Sequence, residues 1–444
     1  MSRRNCGELL KSRALLTLVD SFSTVGVPSA QLSAAIASSG VSVSRAQFLC
    51  NYLVVGTASG EDLPEEVIAA YPNVVVFDTT GGELRETARL PSTAAASNVY
   101  ISESAKRPLV IREQFTQTEA FGQIYRVTQA GGLTLFGTIN YLDIEGAVYD
   151  FNVGIGLSAI SHDGKYAIVT VPTALDEDLV ITSAVYVVLR INPDGTTEEV
   201  ARTAAPIFNG IAVSSIIGDF VKTSKKGEYV AVLQILTIDA NGAVETAGLA
   251  SFRFNARREE LFVTGTALTG RAVTGIDIHP DLDRVIVSTN QVDVDGITNR
   301  QVPFNPFASA ANVPRVGDEI RLYALSACAN RDALKFLKGT NIDQIGVTVR
   351  WSNKGDKLAA VVRVGAFVPS FEPGVSAAAP NTLLTFQYDR CEDALHLEDQ
   401  RGVAPLAAGV AWSNNDKLLA VAGIPTAIQR DILLYDVSAN ECKH

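Results

Sequence analysis

The sequence predicts an all-β fold, a seven-bladed β-propeller with a short N-terminal helical or extended arm. Three observations predict it. One hairpin pattern recurs along the chain, a third strand ending in an aromatic–Asp pair follows it in several places, and 47% of the 444 residues are apolar, rich in β-branched Val and Ile. A chain this long exceeds the usual size of one domain unless repeated units each cover the next, which a radial repeat allows.

The hairpin is clearest at Ser161-His162-Asp163-Gly164-Lys165-Tyr166-Ala167-Ile168-Val169. It returns from Ser224, His279, Ser352 and Ser413, with successive anchors 63, 55, 73 and 61 positions apart. An apolar alternation such as Val347-Thr348-Val349-Arg350-Trp351 precedes the anchor, as a period-two strand requires. The anchor and the next three residues are mostly Ser, Asn, Pro, Asp or Gly, turn formers that bond their own backbone or tolerate left-handed φ. A continuous apolar run follows, such as Tyr229-Val230-Ala231-Val232-Leu233, and reads as a strand covered on both faces. Weaker copies start at Ser102 and, with a longer turn, at Ser44.

The third strand ends in Phe77-Asp78, Tyr388-Asp389 and Tyr435-Asp436, and a polar fourth strand such as Glu83–Leu90 follows. Four antiparallel strands repeated radially make propeller blades. The last unit stops after its third strand, near Val437. Residues 1–40 are therefore read as an arm that supplies the missing strand, from between Val25 and Val43, and 41–444 as the propeller. Ahead of that segment, Glu8–Phe22 is read as a docking helix, or an arm to another subunit, with Leu9, Leu16 and Val19 on one face.

The hairpin resembles the WD40-like and TolB-type propeller repeats, whose turn reads approximately Ser-Pro-Asp-Gly-Lys-x-apolar-Ala. The resemblance covers about Val41 to Val437. The Gly-His and Trp-Asp dipeptides of true WD40 repeats are missing, and the spacing is nearer 60 than 40–45. The resemblance implies an architecture, and architecture alone does not give an activity.

Net charge is −11, from 37 Lys+Arg against 48 Asp+Glu, and this acidic balance argues against nucleic acid as a partner. No apolar run of 18 residues is present, so no membrane span is expected. The apolar run Ala14–Val19 is short for a signal peptide, and a cytoplasmic or assembly-associated chain is expected before a secreted one. The five cysteines, Cys6, Cys50, Cys328, Cys391 and Cys442, are scattered and form no CxxC, so free thiols are expected.

Motifs for chemistry are sparse. His162 and His279 fall at hairpin turns and are assigned to the outer rim of one face. Asp293-Val294-Asp295-Gly296 lacks the remaining ligands of a calcium loop. No cofactor or metal is expected on this reading. Two long insertions stand out, Val302–Pro314 with Phe304 and Phe307, and Phe367–Pro380 with Phe367 and Phe371. Both lie between the second and third strands of adjacent blades and should leave the same face. Long loops carrying Phe beside Pro suit protein contact. The function expected is a non-enzymatic scaffold or structural component of a larger assembly, acting through a protein partner. The alternative is a hydrolase or lactonase-like propeller with a metal at the central channel, held by residues such as Asp143, Asp219, Asp277 and Asp343.

Overall fold

The computed structural model describes residues 16–25, Leu32 and most of 42–437; 290–317 and 364–380 are the long exceptions within that span. The described residues form seven four-stranded antiparallel sheets arranged in a ring. Blades 1 to 6 follow chain order. Blade 1 is Ser42–Leu49, Tyr52–Ala58, Pro72–Asp78 and Arg85–Pro91. Blade 2 is Ala96–Ile101, Leu109–Phe115, Ala120–Val127 and Leu133–Asn140. Blade 3 is Gly156–Ile160, Tyr166–Leu175, Ile181–Ile191 and Thr197–Ala204. Blade 4 is Gly218–Lys222, Glu228–Ile238, Val244–Asn255 and Glu260–Leu268. Blade 5 is Val273–Ile278, Arg284–Thr289, Asp318–Leu325 and Leu334–Asn341. Blade 6 is Ile345–Trp351, Lys357–Arg363, Asn381–Asp389 and Ala394–Val403. Blade 7 is Gly409–Trp412, Leu418–Ala422, Ile432–Asp436 and, from the chain's beginning, Thr17–Phe22. No helix among the described residues is long and apolar enough to cross a membrane.

The repeated hairpin has one local cause. Gly164, Gly227, Leu282, Gly355 and Asp416, each three residues past the anchor read from sequence, all have φ between 58° and 82°. Only such a residue turns the chain back after the first strand. The anchor then satisfies the backbone of the returning strand: Ser161 Oγ accepts from Tyr166 N at 2.9 Å, and Ser413 Oγ from Leu418 N at 2.9 Å. Ser102 Oγ accepts from Leu109 N at 2.9 Å, so the weaker copy in blade 2 is built alike. Two anchors differ from expectation. In blade 4 it is Thr223 whose N–H bonds the returning strand at Glu228 O, and in blade 1 Ser44 lies inside a strand. The blade 1 turn is Cys50-Asn51, with Cys50 at φ 58°, because Leu49 already pairs with Tyr52.

Side chains from facing blades form the core. Between blades 3 and 4, Tyr166, Phe220, Tyr229 and Phe254 pack ring on ring with centroids 4.9–6.4 Å apart. Backbones also meet: an alanine methyl on Gly195, whose φ is 93°, would stand 1.8 Å from Phe136 O in blade 2. Gly195→Ala should therefore destabilise by about 3 kcal/mol, combining left-handed strain with a backbone clash. Gly402→Ala, which meets nothing within 4 Å, should change stability by less than about 0.5 kcal/mol. Urea unfolding of the two variants checks the contrast.

The ring closes with Thr17–Phe22 pairing antiparallel to Ile432–Asp436. This corrects the expected closing segment between Val25 and Val43, and Thr17–Phe22 is a strand where a helix was expected. The unpaired edge of Ile432–Asp436 supplies backbone partners that a helix would forgo, and long-range pairing overrides the local apolar spacing. Side chains hold the strand on both flanks. Leu16 N donates to Asp399 in blade 6 at 2.7 Å, and Leu84 N in blade 1 donates to Asp20 at 2.6 Å. Thr24 donates through N and Oγ1 to buried Asp431 at 3.0 and 2.5 Å. Phe22 packs edge-on against Phe77 of blade 1 at 4.9 Å.

The expectation of free thiols is corrected as well. Cys50 is exposed and free, but Cys391 is disulfide-bonded. Spacing along the chain does not report which cysteines approach each other in space, so scattered cysteines with no CxxC do not exclude a disulfide.

Candidate functional site at the channel mouth

The turns between first and second strands crowd one end of the central channel, and their backbones set its geometry. Glu103 N in blade 2 donates to His162 O at 3.2 Å, and His162 N in blade 3 donates to Phe220 O at 2.9 Å. Glu103 and His162 each directly follow an anchor serine, so their side chains are delivered to the mouth together.

There they begin a chain of ion pairs through five blades. His162 Nδ1 lies 3.0 Å from Glu103 and Nε2 lies 2.5 Å from Asp219 in blade 4. Arg350 in blade 6 reaches Glu103 at 3.2 Å and Asp277 of blade 5 at 2.8 Å. Its other terminal nitrogen donates to Gln47 Oε1 in blade 1 at 3.4 Å. Trp412 in blade 7 donates from Nε1 to Arg350 O at 3.1 Å. Glu103–Arg350 crosses the channel, because blades 2 and 6 are not neighbours.

The aspartates are anchored from behind. Asp219 accepts from Phe220 N at 2.9 Å and Ile278 N at 2.8 Å, and Asp277 from Trp351 N at 2.5 Å. Each thus bonds the first strand of the next blade. A cavity of about 270 Å³ opens over the network, with Gln47, Glu103, His162, Asp277, Arg350 and Trp351 in its wall.

Burial disfavours the His162 imidazolium, but the carboxylates of Glu103 and Asp219 outweigh it and hold its pKa well above the ordinary value. Both ring nitrogens then donate. Burial likewise opposes ionisation of Asp219, and the His162 charge and hydrogen bond override it, leaving the carboxyl at about 2. Asp277 goes the other way: burial pushes it up against the pull of Arg350.

These shifts predict a pH dependence. A depressed carboxyl contributes stability that is present above its unfolded value near 3.8 and lost as pH falls through 2. For Asp219 that contribution is about 2 kcal/mol. The raised His162 contributes stability fully present below about 6.5 and lost as pH rises through its folded value. Unfolding free energy should therefore fall on both limbs, and Asp219→Asn should flatten the acid limb. Denaturant titrations across pH check this.

The expected residues are distributed unevenly. Of the aspartates proposed for a channel metal, Asp219 and Asp277 come together here. Asp143 is exposed in a turn leaving blade 2, and Asp343 lies outside the described residues. The donor set does not suit a divalent cation, since Asp219 and Asp277 are already bonded to an imidazolium, a guanidinium and backbone amides. His162 is at the channel mouth and not on the outer rim. His279 is 2% exposed, wedged between blades 5 and 6 against Trp351 and Tyr388, with Nε2 3.0 Å from Gly355 O. Phe304, Phe307, Phe367 and Phe371 lie outside the described residues.

No protein-family profile and no curated protein sequence matches the chain. Solved structures do. A chain in the crystal structure of the mitotic checkpoint complex is 10% identical, with TM-score 0.51 over 95% of this chain and 94% of that one. A chain of Kuenenia stuttgartiensis hydrazine synthase is 10% identical, with TM-score 0.50 over 90% and 96%. The RRP9 WD40 repeats are 10% identical, with TM-score 0.49 over 89% and 94%. The architecture is that of a seven-bladed β-propeller.

Proposed function

We propose that this propeller is a non-enzymatic scaffold, or a structural component of a larger assembly, and that it acts through protein contacts on the face opposite the charged mouth. The observation that carries the reading is the root of the two insertions. Segment 290–317 joins Arg284–Thr289 to Asp318–Leu325, and segment 364–380 joins Lys357–Arg363 to Asn381–Asp389. Both are connections from second to third strand in adjacent blades, so their bases share one face. Phe304, Phe307, Phe367 and Phe371 are the proposed anchors. A structural neighbour drawn from a multi-protein complex supports a partner of the same chemical kind.

Changing all four Phe to Ser tests this. None lies in a described blade strand, so thermal unfolding should match the parent chain. Affinity capture from the source cells should lose its stoichiometric partner, since anchors of this type each contribute about 2 kcal/mol or more. Capture of the same partner at the same yield would contradict the reading, and unfolding of the variant would make these residues blade caps.

A further inference from the structure

The outer turn of blade 6 gathers three metal-ligating side chains away from the channel. Asp389 ends the third strand, Glu392 lies in the turn, and His396 is the third residue of the fourth strand. One oxygen from each carboxylate and one imidazole nitrogen all lie within 4.8 Å of one another, and Glu392 and His396 are exposed. Blade 1 shows the matching aspartate answered by a cation of the chain's own. There Asp78, of the Phe77-Asp78 pair, caps its turn by accepting from Thr80 N through Oδ1 at 2.9 Å, and its Oδ2 pairs with Arg85 at 2.5 Å. Asp389 caps its turn alike, with Oδ1 accepting from Cys391 N at 2.8 Å. No arginine answers its other oxygen, and a second carboxylate and an imidazole stand there instead. Among the described residues, Asp389 Oδ2, the Glu392 carboxylate and the His396 ring have no hydrogen-bond or ion-pair partner. Arg390, the one cation within the turn, reaches away to blade 5 and pairs with Asp281 and Asp283. Two carboxylates held this close without a cation repel each other.

We propose that Asp389, Glu392 and His396 bind a zinc ion. Zinc accepts imidazole nitrogen and carboxylate oxygen together, whereas calcium and magnesium take six or more oxygens, which this turn does not offer. Two carboxylates and a neutral imidazole cancel the charge of the dication. Tetrahedral bonds of about 2.1 Å hold ligand atoms about 3.4 Å apart, so the three close on an ion by side-chain rotation, which the exposed Glu392 and His396 permit. One position of the ion is left for water, as in open zinc sites. The turn itself is held from several sides, as a ligand set needs. Asp393 accepts from Arg284 Nε at 2.8 Å and from the Tyr388 hydroxyl at 2.6 Å, and Cys391, between two of the ligands, is disulfide-bonded. Arg390 ties the turn to Asp281 in a hairpin on the mouth side of blade 5, so the site is separate from the contact face and stands whether or not that reading holds.

The test uses the untagged full chain with its free thiols alkylated, stripped with EDTA, dialysed, and titrated calorimetrically with zinc, calcium and magnesium chlorides. Zinc should bind saturably at one ion per chain, and calcium and magnesium should not. His396→Gln and Glu392→Gln should each weaken zinc binding at least about tenfold. Asp389→Asn keeps the Oδ1 cap, removes the charge and should weaken it alike. Zinc should also raise the unfolding midpoint of the parent chain and leave that of His396→Gln where it was. Because no internal partner is lost, His396→Gln in EDTA should unfold at the parent's midpoint or above it. No zinc binding, calcium or magnesium binding of comparable affinity, or undiminished zinc binding by His396→Gln would each overturn the proposal. So would a lowered midpoint of His396→Gln in EDTA, since the ring would then serve the fold.

Discussion

Deleting residues 1–24 should cost the chain its single cooperative unfolding transition and make it aggregate with rising concentration. The deletion strips the fourth strand from blade 7 and exposes the edge of Ile432–Asp436, a template for pairing with another chain. It also leaves Asp431 buried without its Thr24 donors and removes the Leu16 and Asp20 bonds that tie blade 7 to blades 6 and 1. Sedimentation velocity with thermal unfolding measures both effects. A truncated chain that stays monomeric and melts like the parent would show that the ring does not depend on its closing strand.

Arg350→Met should destabilise by about 3 kcal/mol, the low end of what breaking a buried ion pair costs, because the mouth remains partly open to solvent. The loss comes less from the missing attraction than from Asp277 left buried without its cation, whereas Glu103 keeps His162. The double variant Arg350→Met with Asp277→Asn should recover part of the loss, since it removes one stranded charge. Additive costs in that double-mutant cycle would mean that the two residues do not interact as the 2.8 Å contact indicates.

The blade hairpins were legible because their cause is local. An anchor that bonds the backbone and a left-handed residue three positions on lie within one short stretch, so each copy carries its own signature. Leu282 and Asp416 stand where Gly would be expected, yet the pattern holds because both adopt φ 58°. Thr17–Phe22 was not legible, since its partner strand lies some 400 residues away and its apolar spacing also suits a helix.

The channel mouth was half legible. Asp219 and Asp277 were named from their place ahead of the hairpins, but as ligands for a metal and not as partners of His162 and Arg350. The network joins residues as far apart as Glu103 and Arg350, and only ring closure brings those together. One signal was available: Glu103 and His162 occupy the same position, directly after the anchor serine, in successive blades. Equivalent positions carrying opposite charge mark a contact between turns.

The contact face is tested most directly by hydrogen exchange on tagged chain purified with its partner, compared with the same chain freed of it. Slowed exchange should centre on 290–317 and 364–380 and on their bases at Thr289, Asp318, Arg363 and Asn381, with the turns at the channel mouth unchanged. Slowed exchange confined to the mouth turns around Glu103, His162 and Asn353 would place the partner on the opposite face and contradict the proposed function.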